Sequence, residues 1–510
     1  MPPLRLGDRP LRWEDLAGIR RGDVRLSLSP KGRRRMGASL AALEALQRGD
    51  RPIYGVNTGF GKLCQVRIPA AEMRRLQENL LMSHAVGVGP LLPADEARLL
   101  LALKTQALAL GASGARPALA EALCRLFNAG IVPAVPEQGS VGASGDLAPL
   151  AHMSLLLLGR GEAVDKAGRR IPGRRALAKA GLSPIRLGPK EGLALINGTQ
   201  GMTAVAVALC LDARDLLTQA DVVGAMSLEA LKGTDVAFDP RAMALRPHPG
   251  QLASAKNLRR LLAQSGIHAS HEDCDKVQDA YSLRCMPQVH GAARDAMTFA
   301  EGVVLREADS VTDNPLVFGN PAAVISSGNF HGEPVAMAMD LAAIAISEIG
   351  ALSERRLARL VDHDLSGLPP FLVREEGLNS GFMMAQVTAA ALASENKILA
   401  HPASVDSIPT SANQEDHVSM GMTAARKARQ ILRHVRLILA IEALAAAQGL
   451  EFLKPLKAGK GADAAYRALR RRVPALTRDR EMAGDIAAAE ALLAGRALAD
   501  AAEGAAGALL

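Results

Sequence analysis

The chain has 510 residues, of which 49% are hydrophobic, so it is long enough to bury a large core. Its formal net charge is +8, but the arginines occur in short scattered groups, such as 33–35 and 470–472, without interleaved aromatic residues that could stack on bases. This pattern argues against nucleic-acid binding, and the five widely spaced cysteines, with no Cys-x-x-Cys motif, argue against a disulfide framework or a zinc ribbon.

The N-terminal segment, MPPLRLGDRPLRWEDL, carries charges where a signal peptide needs an apolar stretch. The most apolar segments are also interrupted, by Lys104 in the stretch at 98–111 and by Glu442 in the stretch at 437–450. Neither stretch reaches the uninterrupted length of a membrane span. We therefore expect a soluble, cytoplasmic protein.

Helical periodicity dominates the chain. Residues 93–128 predict two helices separated by a turn at 111–117, which contains two glycines and a proline. The patterns at 333–362 and 417–448 predict two helices of about thirty residues each, longer than the usual globular helix and typical of a helical bundle. The alanine-rich tail at 480–510 is also helical by propensity.

Strand signals are few and short, the best being LVF at 316–318 and VIS at 324–326. No alternation of strands and helices is evident, which disfavours a doubly wound sheet. The predicted fold class is therefore mainly α. Glycine clusters mark the irregular parts, and we expect a loop-rich N-terminal domain at 1–200 followed by a long-helix bundle and C-terminal helical region at 201–510.

The most informative segment is GSVGASGDLAPLAHM, residues 139–153. Small residues around Ser144 allow the backbone to fold tightly, which can bring the Gly145 amide nitrogen against the Ala143 carbonyl carbon. If that ring closes and the serine loses water, the product is a methylidene-imidazolone, a strong electrophile. The chain has a second Ala-Ser-Gly triplet at 112–114, so the triplet alone also fits a flexible turn; only the first is followed by DLAPL.

That context resembles the signature of the aromatic amino acid ammonia-lyases, the family with histidine, phenylalanine and tyrosine as substrates. The resemblance covers most of the chain, about residues 50–425, and its motifs follow the family's order. The further blocks are YGVNTGFG (54–61), NLLMSHAVGVG (79–89), INGTQ (196–200), QDAYSLRCMPQVHG (278–291), TDNPLVF (312–318), SGNFHGEP (327–334) and NQEDHVSMG (413–421). The resemblance implies a fumarase/aspartase-like architecture and an electrophile made from Ala143, Ser144 and Gly145.

The resemblance also implies roles for individual residues. Tyr54 is similar in position to the base that removes the substrate β-proton. Because a tyrosine normally titrates at about pH 10, this role requires neighbours that lower its pKa. Phe330 is expected to wall the pocket, and Asn197 to bind the substrate carboxylate or the imidazolone oxygen.

Two positions indicate the substrate. Ser83-His84 is the histidine-type pair, where phenylalanine-type members resemble one another in carrying Phe-Leu and tyrosine-type members His-Leu. Glu415 supplies a carboxylate that can pair with an imidazole, whereas an apolar ring makes no favourable contact with such a group. Together they favour L-histidine as the substrate.

Gln278, Tyr281 and Arg284 follow one another at spacings of three residues. On a helix these positions fall within one arc, so we expect all three to face one pocket. Arg284 suits a bidentate contact with the substrate carboxylate. Tyr281 is expected to handle protons at the amine or to help maintain the electrophile, and Gln278 to orient the substrate.

Two other segments resemble metal-binding or nucleotide-binding motifs. The segment at 271–275, His-Glu-Asp-Cys-Asp, has metal-binding residue types, but consecutive residues cannot all face one ion in regular structure. The glycine loop at 55–61 fits neither a P-loop nor a dinucleotide fingerprint. The rival functions are a lyase for another aromatic substrate, a 2,3-aminomutase with the same electrophile, a fumarase-type lyase, and an inactive helical scaffold.

The sequence thus predicts non-oxidative deamination of L-histidine to trans-urocanate and ammonia, the first step of histidine degradation. Neither a metal nor an external coenzyme is expected. The resemblance further implies a homotetramer whose active sites draw residues from more than one subunit. Which of Tyr54, Tyr281 and Glu415 carries each proton is left open by the sequence.

Overall fold

The structure, a computed structural model, describes residues 3–49, 51–272 and 276–510. The α-helices are, in chain order, α1 (Trp13–Arg21), α2 (Pro30–Gln47), α3 (Met73–His84), α4 (Ala94–Ala109), α5 (Pro117–Asn128), α6 (Leu147–Leu155), α7 (Gly173–Lys179), α8 (Glu191–Ile196), α9 (Gln200–Ala230), α10 (Pro240–Ala244), α11 (Pro249–Leu262), α12 (Gly266–Ala269), α13 (Tyr281–Arg284), α14 (Met286–Ala308), α15 (Glu333–Val361), α16 (His363–Ser366), α17 (Met383–Leu399), α18 (Gly421–Phe452), α19 (Lys460–Arg470), α20 (Ala483–Ala494) and α21 (Ala497–Ala506). The strands are β1 (Leu4–Leu6), β2 (Leu26–Leu28), β3 (Val88–Leu91), β4 (Val132–Pro133), β5 (Pro136–Gln138), β6 (Glu162–Val164), β7 (Arg170–Pro172), β8 (Leu316–Gly319) and β9 (Ala322–Ile325).

The predicted helices are confirmed. Helices α4 and α5 lie on either side of the turn at 111–117, and α5 begins with a proline, a residue that suits the first helical position. Helices α15 and α18 are the two long predicted helices, although α18 begins at Gly421 rather than at residue 417. The tail forms two helices, α20 and α21, rather than one.

The sheets are small. Strands β8 and β9, which the sequence predicts, form an antiparallel hairpin. Strands β1 and β2 form a parallel pair with α1 between them in the chain, an arrangement that sequence periodicity did not indicate because each strand has only 3 residues. The mainly α prediction is confirmed, since no sheet among the described residues exceeds three strands.

The chain divides into two compact units. The first comprises the segment that ends at Ala208, together with Ala300–Asp340 and Pro402–Arg426, and the second comprises Leu209–Phe299, Leu341–His401 and Lys427–Leu510. The long helices α9, α14, α15 and α18 each contribute residues to both units, so a single cut along the sequence cannot reproduce this division. The domain boundary predicted at residue 200 stays a prediction.

A buried cluster in the first unit supports the loop that carries Tyr54. It consists of Ala42 and Leu43 from α2, Ile53 and Val56 on either side of that tyrosine, and Val317 from β8. All five side chains are at most 5% exposed. Burial of apolar surface of this kind contributes about 1.5–3 kcal/mol for each large side chain, so the base of the loop is fixed by packing.

The second unit contains a charged pair inside its core. Arg356 and Glu442 are both fully buried, and Arg356 Nε donates a hydrogen bond of 2.5 Å to Glu442 Oε1. The hydroxyls of Ser227 and Ser353 donate to the two oxygens of the same carboxylate. The charge that interrupts the apolar stretch at 437–450 is therefore neutralised by tertiary contacts rather than exposed to water.

One helix among the described residues, α15, is long and apolar enough to cross a membrane by length and composition. Within its most apolar window, 61% of the residues are buried inside the protein. A mostly buried core helix passes the same test, so this helix is no sign of membrane insertion.

Candidate active site

A cavity of about 990 Å³ lies within the first unit. It is lined by residues from segments that are far apart in the chain, among them most of the predicted site residues: Tyr54, His84, Ala143, Ser144, Asn197, Phe330 and Glu415. Whether each of these residues has its predicted role remains a proposal, but the fold brings all seven to one cavity.

The Ala-Ser-Gly loop is clamped against a turn at Gly198. The Gly198 amide donates to the Ser144 carbonyl over 3.1 Å, and the Asp146 amide donates to the Gly198 carbonyl over 2.7 Å. Gly145 lies between them with φ of +73°, and a Cβ there would approach the Gly198 carbonyl carbon to 2.1 Å. Only glycine fits such a backbone contact, and its free amide nitrogen is the group that ring closure requires.

The Ser144 hydroxyl is bonded to a carboxylate. Its Oγ donates to Glu415 Oε1 over 3.2 Å, and the hydroxyl of Thr410 donates to Glu415 Oε2 over 2.6 Å. Backbone hydrogen bonds between Thr410 and Glu415 hold the carboxylate in place. A carboxylate so placed can accept a proton, or a hydrogen bond from a ligand, beside the loop.

Asp146 follows the loop and was not singled out from the sequence except as part of the DLAPL context. Its carboxylate is fully buried and accepts hydrogen bonds from the Ser140 hydroxyl, over 2.8 Å, and from the Met202 amide, over 2.7 Å. Burial nevertheless raises the pKa of Asp146 to about 6, because removal from water penalises the carboxylate. The residue ties the loop to the first turn of α9.

The pKa of Tyr54 is shifted in the direction opposite to the one that a base near neutral pH requires. The Gly61 amide donates to its hydroxyl over 3.0 Å, which stabilises a phenolate. Burial and the charge of Glu415 outweigh that bond and raise the pKa of Tyr54 above 10. Within the single chain, the neighbours of Tyr54 therefore do not supply the lowered pKa that the role of a base requires.

His84 is held at the C-terminal end of α3 by a bond within its own helix. Its Nδ1 lies 2.9 Å from the Leu80 carbonyl oxygen and 3.0 Å from the Ser83 hydroxyl. Since a carbonyl only accepts, we assign the proton to Nδ1, which leaves Nε2 as an acceptor. Burial lowers the pKa of His84 below 6.5, so the ring is neutral near pH 7.

The side chain of Asn197 is fixed by its acceptors. Its Nδ2 donates to Asp313 Oδ1 over 3.2 Å and to the Asn314 carbonyl over 3.0 Å, which together use both amide hydrogens. Its Oδ1 is buried and has no hydrogen-bond partner among the described residues. Asn197 therefore has an unused acceptor rather than an unused donor.

Gln278, Tyr281 and Arg284 belong to the second unit and are not among the cavity's lining residues. The expectation that they share one helical arc is wrong, since α13 begins at Tyr281 and Gln278 precedes it outside the helix. Tyr281 is 70% exposed, and the Arg284 guanidinium lies over its ring, 4.6 Å from the centroid.

Two further histidines line the cavity and were not selected from the sequence. The rings of His331 and His417 are stacked, with centroids 5.8 Å apart and an interplanar angle of 2°. Both occur in blocks quoted for the resemblance, SGNFHGEP and NQEDHVSMG, so the signal was present without a chemical role attached to it.

Among residues 3–49, 51–272 and 276–510, no group of three or more histidine, cysteine, aspartate or glutamate residues could hold a metal ion. Within the segment at 271–275, considered above as a metal cluster, residues 273–275 lie outside the described residues.

The chain is similar to known proteins over nearly its full length. The family model described as aromatic amino acid lyase matches residues 11–471. A histidine ammonia-lyase of Stigmatella aurantiaca is 52% identical over 492 residues, covering 96% of each chain, and one of Anaeromyxobacter sp. (strain K) is 53% identical over 501 residues, covering 97% of this chain and 99% of the other.

Solved structures agree with these relatives. The crystal structure of histidine ammonia-lyase from Trypanosoma cruzi has a TM-score of 0.90 at 40% identity and covers 99% of this chain and 95% of that one. A tyrosine aminomutase from Streptomyces globisporus has a TM-score of 0.92 at 38% identity, with 98% of both chains covered.

The chain belongs to the aromatic amino acid lyase family, whose members are enzymes of the methylidene-imidazolone type. The family predicted from the sequence blocks is therefore confirmed. The relatives that match nearly the full chain also confirm the narrower prediction of an ammonia-lyase of the histidine type.

Proposed function

We propose that the cavity deaminates L-histidine to trans-urocanate and ammonia, with an electrophile formed from Ala143, Ser144 and Gly145. The observation that carries the proposal is the bond of 3.2 Å between the Ser144 hydroxyl and Glu415, because a carboxylate beside the loop can accept a hydrogen bond from an imidazole N–H. The names of the full-length relatives support the same substrate.

The loop fits the group. Gly145 supplies an amide nitrogen with no Cβ beside it, Ala143 supplies a small buried carbonyl residue, and the Ser144 hydroxyl is hydrogen-bonded to an acceptor. When formed, the methylidene-imidazolone supplies an electrophile that makes the substrate amine a better leaving group. No metal and no external coenzyme enters the proposal.

The cavity provides two partners for an imidazole ring. A neutral imidazole has one N–H and can donate to either of two acceptors, whereas an imidazolium has two N–H groups and can donate to both. His84, with the proton on Nδ1, offers Nε2 as an acceptor, and Glu415 offers a carboxylate oxygen. A phenyl ring has no N–H to donate to these acceptors, so the site favours histidine over phenylalanine.

Tyr54 is proposed as the base that takes the β-proton. The Gly61 amide stabilises its phenolate, but within one chain the pKa of Tyr54 is raised, so a further positive charge is needed for this task near neutral pH. Arg284, from a second copy of the chain, is proposed to supply that charge and to bind the substrate carboxylate.

The same argument supports shared active sites. Gln278 and Tyr281 are exposed in the single chain, and the resemblance of their segment to the family motif implies that they contact substrate. We propose that the enzyme is a homotetramer in which these residues and Arg284 complete the cavity of another subunit. A cytoplasmic location and a place at the start of histidine degradation belong to the same proposal.

The test is a comparison of substrates. Purified protein is mixed separately with L-histidine, L-phenylalanine and L-tyrosine, and products are identified by ultraviolet absorbance and mass spectrometry. Urocanate from histidine alone is the expected result. Cinnamate or coumarate as the main product would overturn the substrate, and a β-amino acid would instead indicate an aminomutase.

A further inference from the structure

Behind the cavity, the first unit buries a cluster of charged side chains for which the proposed chemistry has no use. Lys104 on α4 is 1% exposed, Lys190 is 0% exposed and Asp313 is 3% exposed. Lys190 Nζ and Asp313 Oδ2 form an ion pair of 2.7 Å. Buried charges are costly unless they are paired, so such a cluster needs a reason to be there.

Both arms of the cluster end on Asn197. Lys104 Nζ donates a short hydrogen bond of 2.6 Å to the Asn197 backbone carbonyl, and its second contact, with Gln200 Oε1, is longer at 3.4 Å. Asp313 Oδ1 accepts from Asn197 Nδ2 over 3.2 Å. Lys104 thus holds the backbone of this residue, and Asp313 holds its side chain.

The next residue, Gly198, is bonded to the electrophile-forming loop on both sides. Its amide donates to the Ser144 carbonyl, and its carbonyl accepts from the Asp146 amide. Gly198 itself has φ of +126°, and a Cβ there would approach Thr312 Oγ1 to 2.7 Å, so the turn has little room to shift. A movement of the Asn197–Gly198 peptide would therefore move the loop.

We propose that Lys104 is a positioning residue that fixes the Asn197–Gly198 turn and, through it, the geometry in which the Ala143-Ser144-Gly145 loop closes. The inference rests on the proposed function, because it concerns formation of the same electrophile. Lys104 is not among the residues that line the cavity, and in this proposal it acts on the loop through the peptide between Asn197 and Gly198.

The surroundings of Lys104 support this role. The pKa of Lys104 is lowered to about 7, mainly by burial. The charge of Lys190 also lowers this pKa, and the charges of Asp313 and Asp146 oppose the shift. Removing a lysine charge from water costs free energy, so packing alone would favour an apolar side chain at this buried position. The bond to Asn197 is what an apolar side chain could not provide.

The test is the substitution Lys104→Met, which keeps an unbranched side chain one atom shorter and removes the donor, beside Lys104→Gln, which keeps a donor without the charge. Thr105→Val is the matched control, because Thr105 is also buried on α4 but its hydroxyl bonds only to the Leu101 carbonyl of the same helix. Intact mass at fixed times after cell-free synthesis measures the fraction of chains that have lost two waters, and thermal unfolding checks folding.

We expect Lys104→Met to slow cyclisation by about tenfold or more, the effect of losing one hydrogen bond to a charged group, while Thr105→Val cyclises at the wild-type rate. The cyclisation rate of Lys104→Gln should fall between the rates of Lys104→Met and Thr105→Val. If Lys104→Met does not fold, the comparison of Lys104→Gln with wild type is the test, and equal rates would overturn the inference. Equal rates for Lys104→Met and wild type, or an equal loss in Thr105→Val, would overturn the inference. A wild-type chain that never loses two waters would instead overturn the proposed function.

Discussion

The Ser144 hydroxyl donates its hydrogen bond to Glu415, 271 residues further along the chain, over 3.2 Å. The carboxylate that is proposed to bind the substrate imidazole therefore lies beside the residue that gives rise to the electrophile. Because Thr410 holds the other carboxylate oxygen, Glu415 can make this contact without rearrangement.

Glu415→Gln keeps an oxygen that can accept from the Ser144 hydroxyl and removes the negative charge. We expect the loop to cyclise normally, with kcat/KM for histidine lowered by about 10²-fold or more, the range for loss of a proton-transfer group. Steady-state kinetics and intact mass measure the two effects separately. If the variant turns over histidine at the wild-type rate, Glu415 carries no proton and its charge is not needed for the reaction.

Tyr54→Phe removes the proposed base and leaves the ring that meets Phe60 edge-on. Turnover should fall by about 10³-fold with full cyclisation, as expected for loss of a general base. Because burial raises the pKa of Tyr54, the base form grows as the pH increases, so wild-type kcat/KM should rise toward alkaline pH. The variant should lack this rise, and initial rates measured over a series of pH values test this. If kcat/KM rises toward alkaline pH in both proteins, the base is another residue.

His84→Leu removes the acceptor nitrogen that we propose for the substrate imidazole. The expected loss in kcat/KM for histidine is about 10- to 100-fold, the effect of one hydrogen bond in a polar pocket, whereas any residual rate with phenylalanine should not fall. Since the pKa of His84 is lowered, protonation removes this acceptor only below pH 6.5, and the histidine rate should decline there in the wild type. Parallel losses on both substrates would indicate a structural role.

Arg356→Met should destabilise the second unit strongly, because it leaves the fully buried Glu442 without its counter-charge. The expected cost is about 3–5 kcal/mol in the free energy of unfolding, measured from urea unfolding followed by circular dichroism. Arg355→Met is the matched control on the same helix. Arg355 is 64% exposed, and its partner Glu354, which is 5% exposed, keeps a hydrogen bond of 2.8 Å from the Gln386 amide, so the loss should cost less than that of Arg356→Met. Similar shifts in the two variants would contradict this account of the buried pair.

The sequence predicted the long helices because their periodicity is local, and it predicted Tyr54, Ser144 and Glu415 because each occurs in a recognisable block. It could not predict what lies behind the site. Lys104 and Glu442 were interpreted only as charges that interrupt apolar stretches, since their partners, Asn197 and Arg356, are distant in the chain.

Other differences have equally physical causes. Gln278 was placed on a helix by spacing, but the helix begins only at Tyr281, and spacing does not reveal where a helix starts. The pKa of Tyr54 depends on how much of its ring is buried, which depends on tertiary packing. The short strands β1 and β2 have too few residues to show a period.

The central claim is that this chain makes its own electrophile and uses it on histidine. The most direct test measures the mass of the proteolytic peptide that contains Ala143, Ser144 and Gly145, together with urocanate formation by the same preparation, for wild type and Ser144→Ala. For wild type, we predict a peptide that is lighter by two waters and a preparation that produces urocanate. For Ser144→Ala, we predict a peptide with the mass of an unmodified backbone and no turnover. Urocanate production by the variant at the wild-type rate, or by a wild-type protein whose peptide keeps its full mass, would contradict the account.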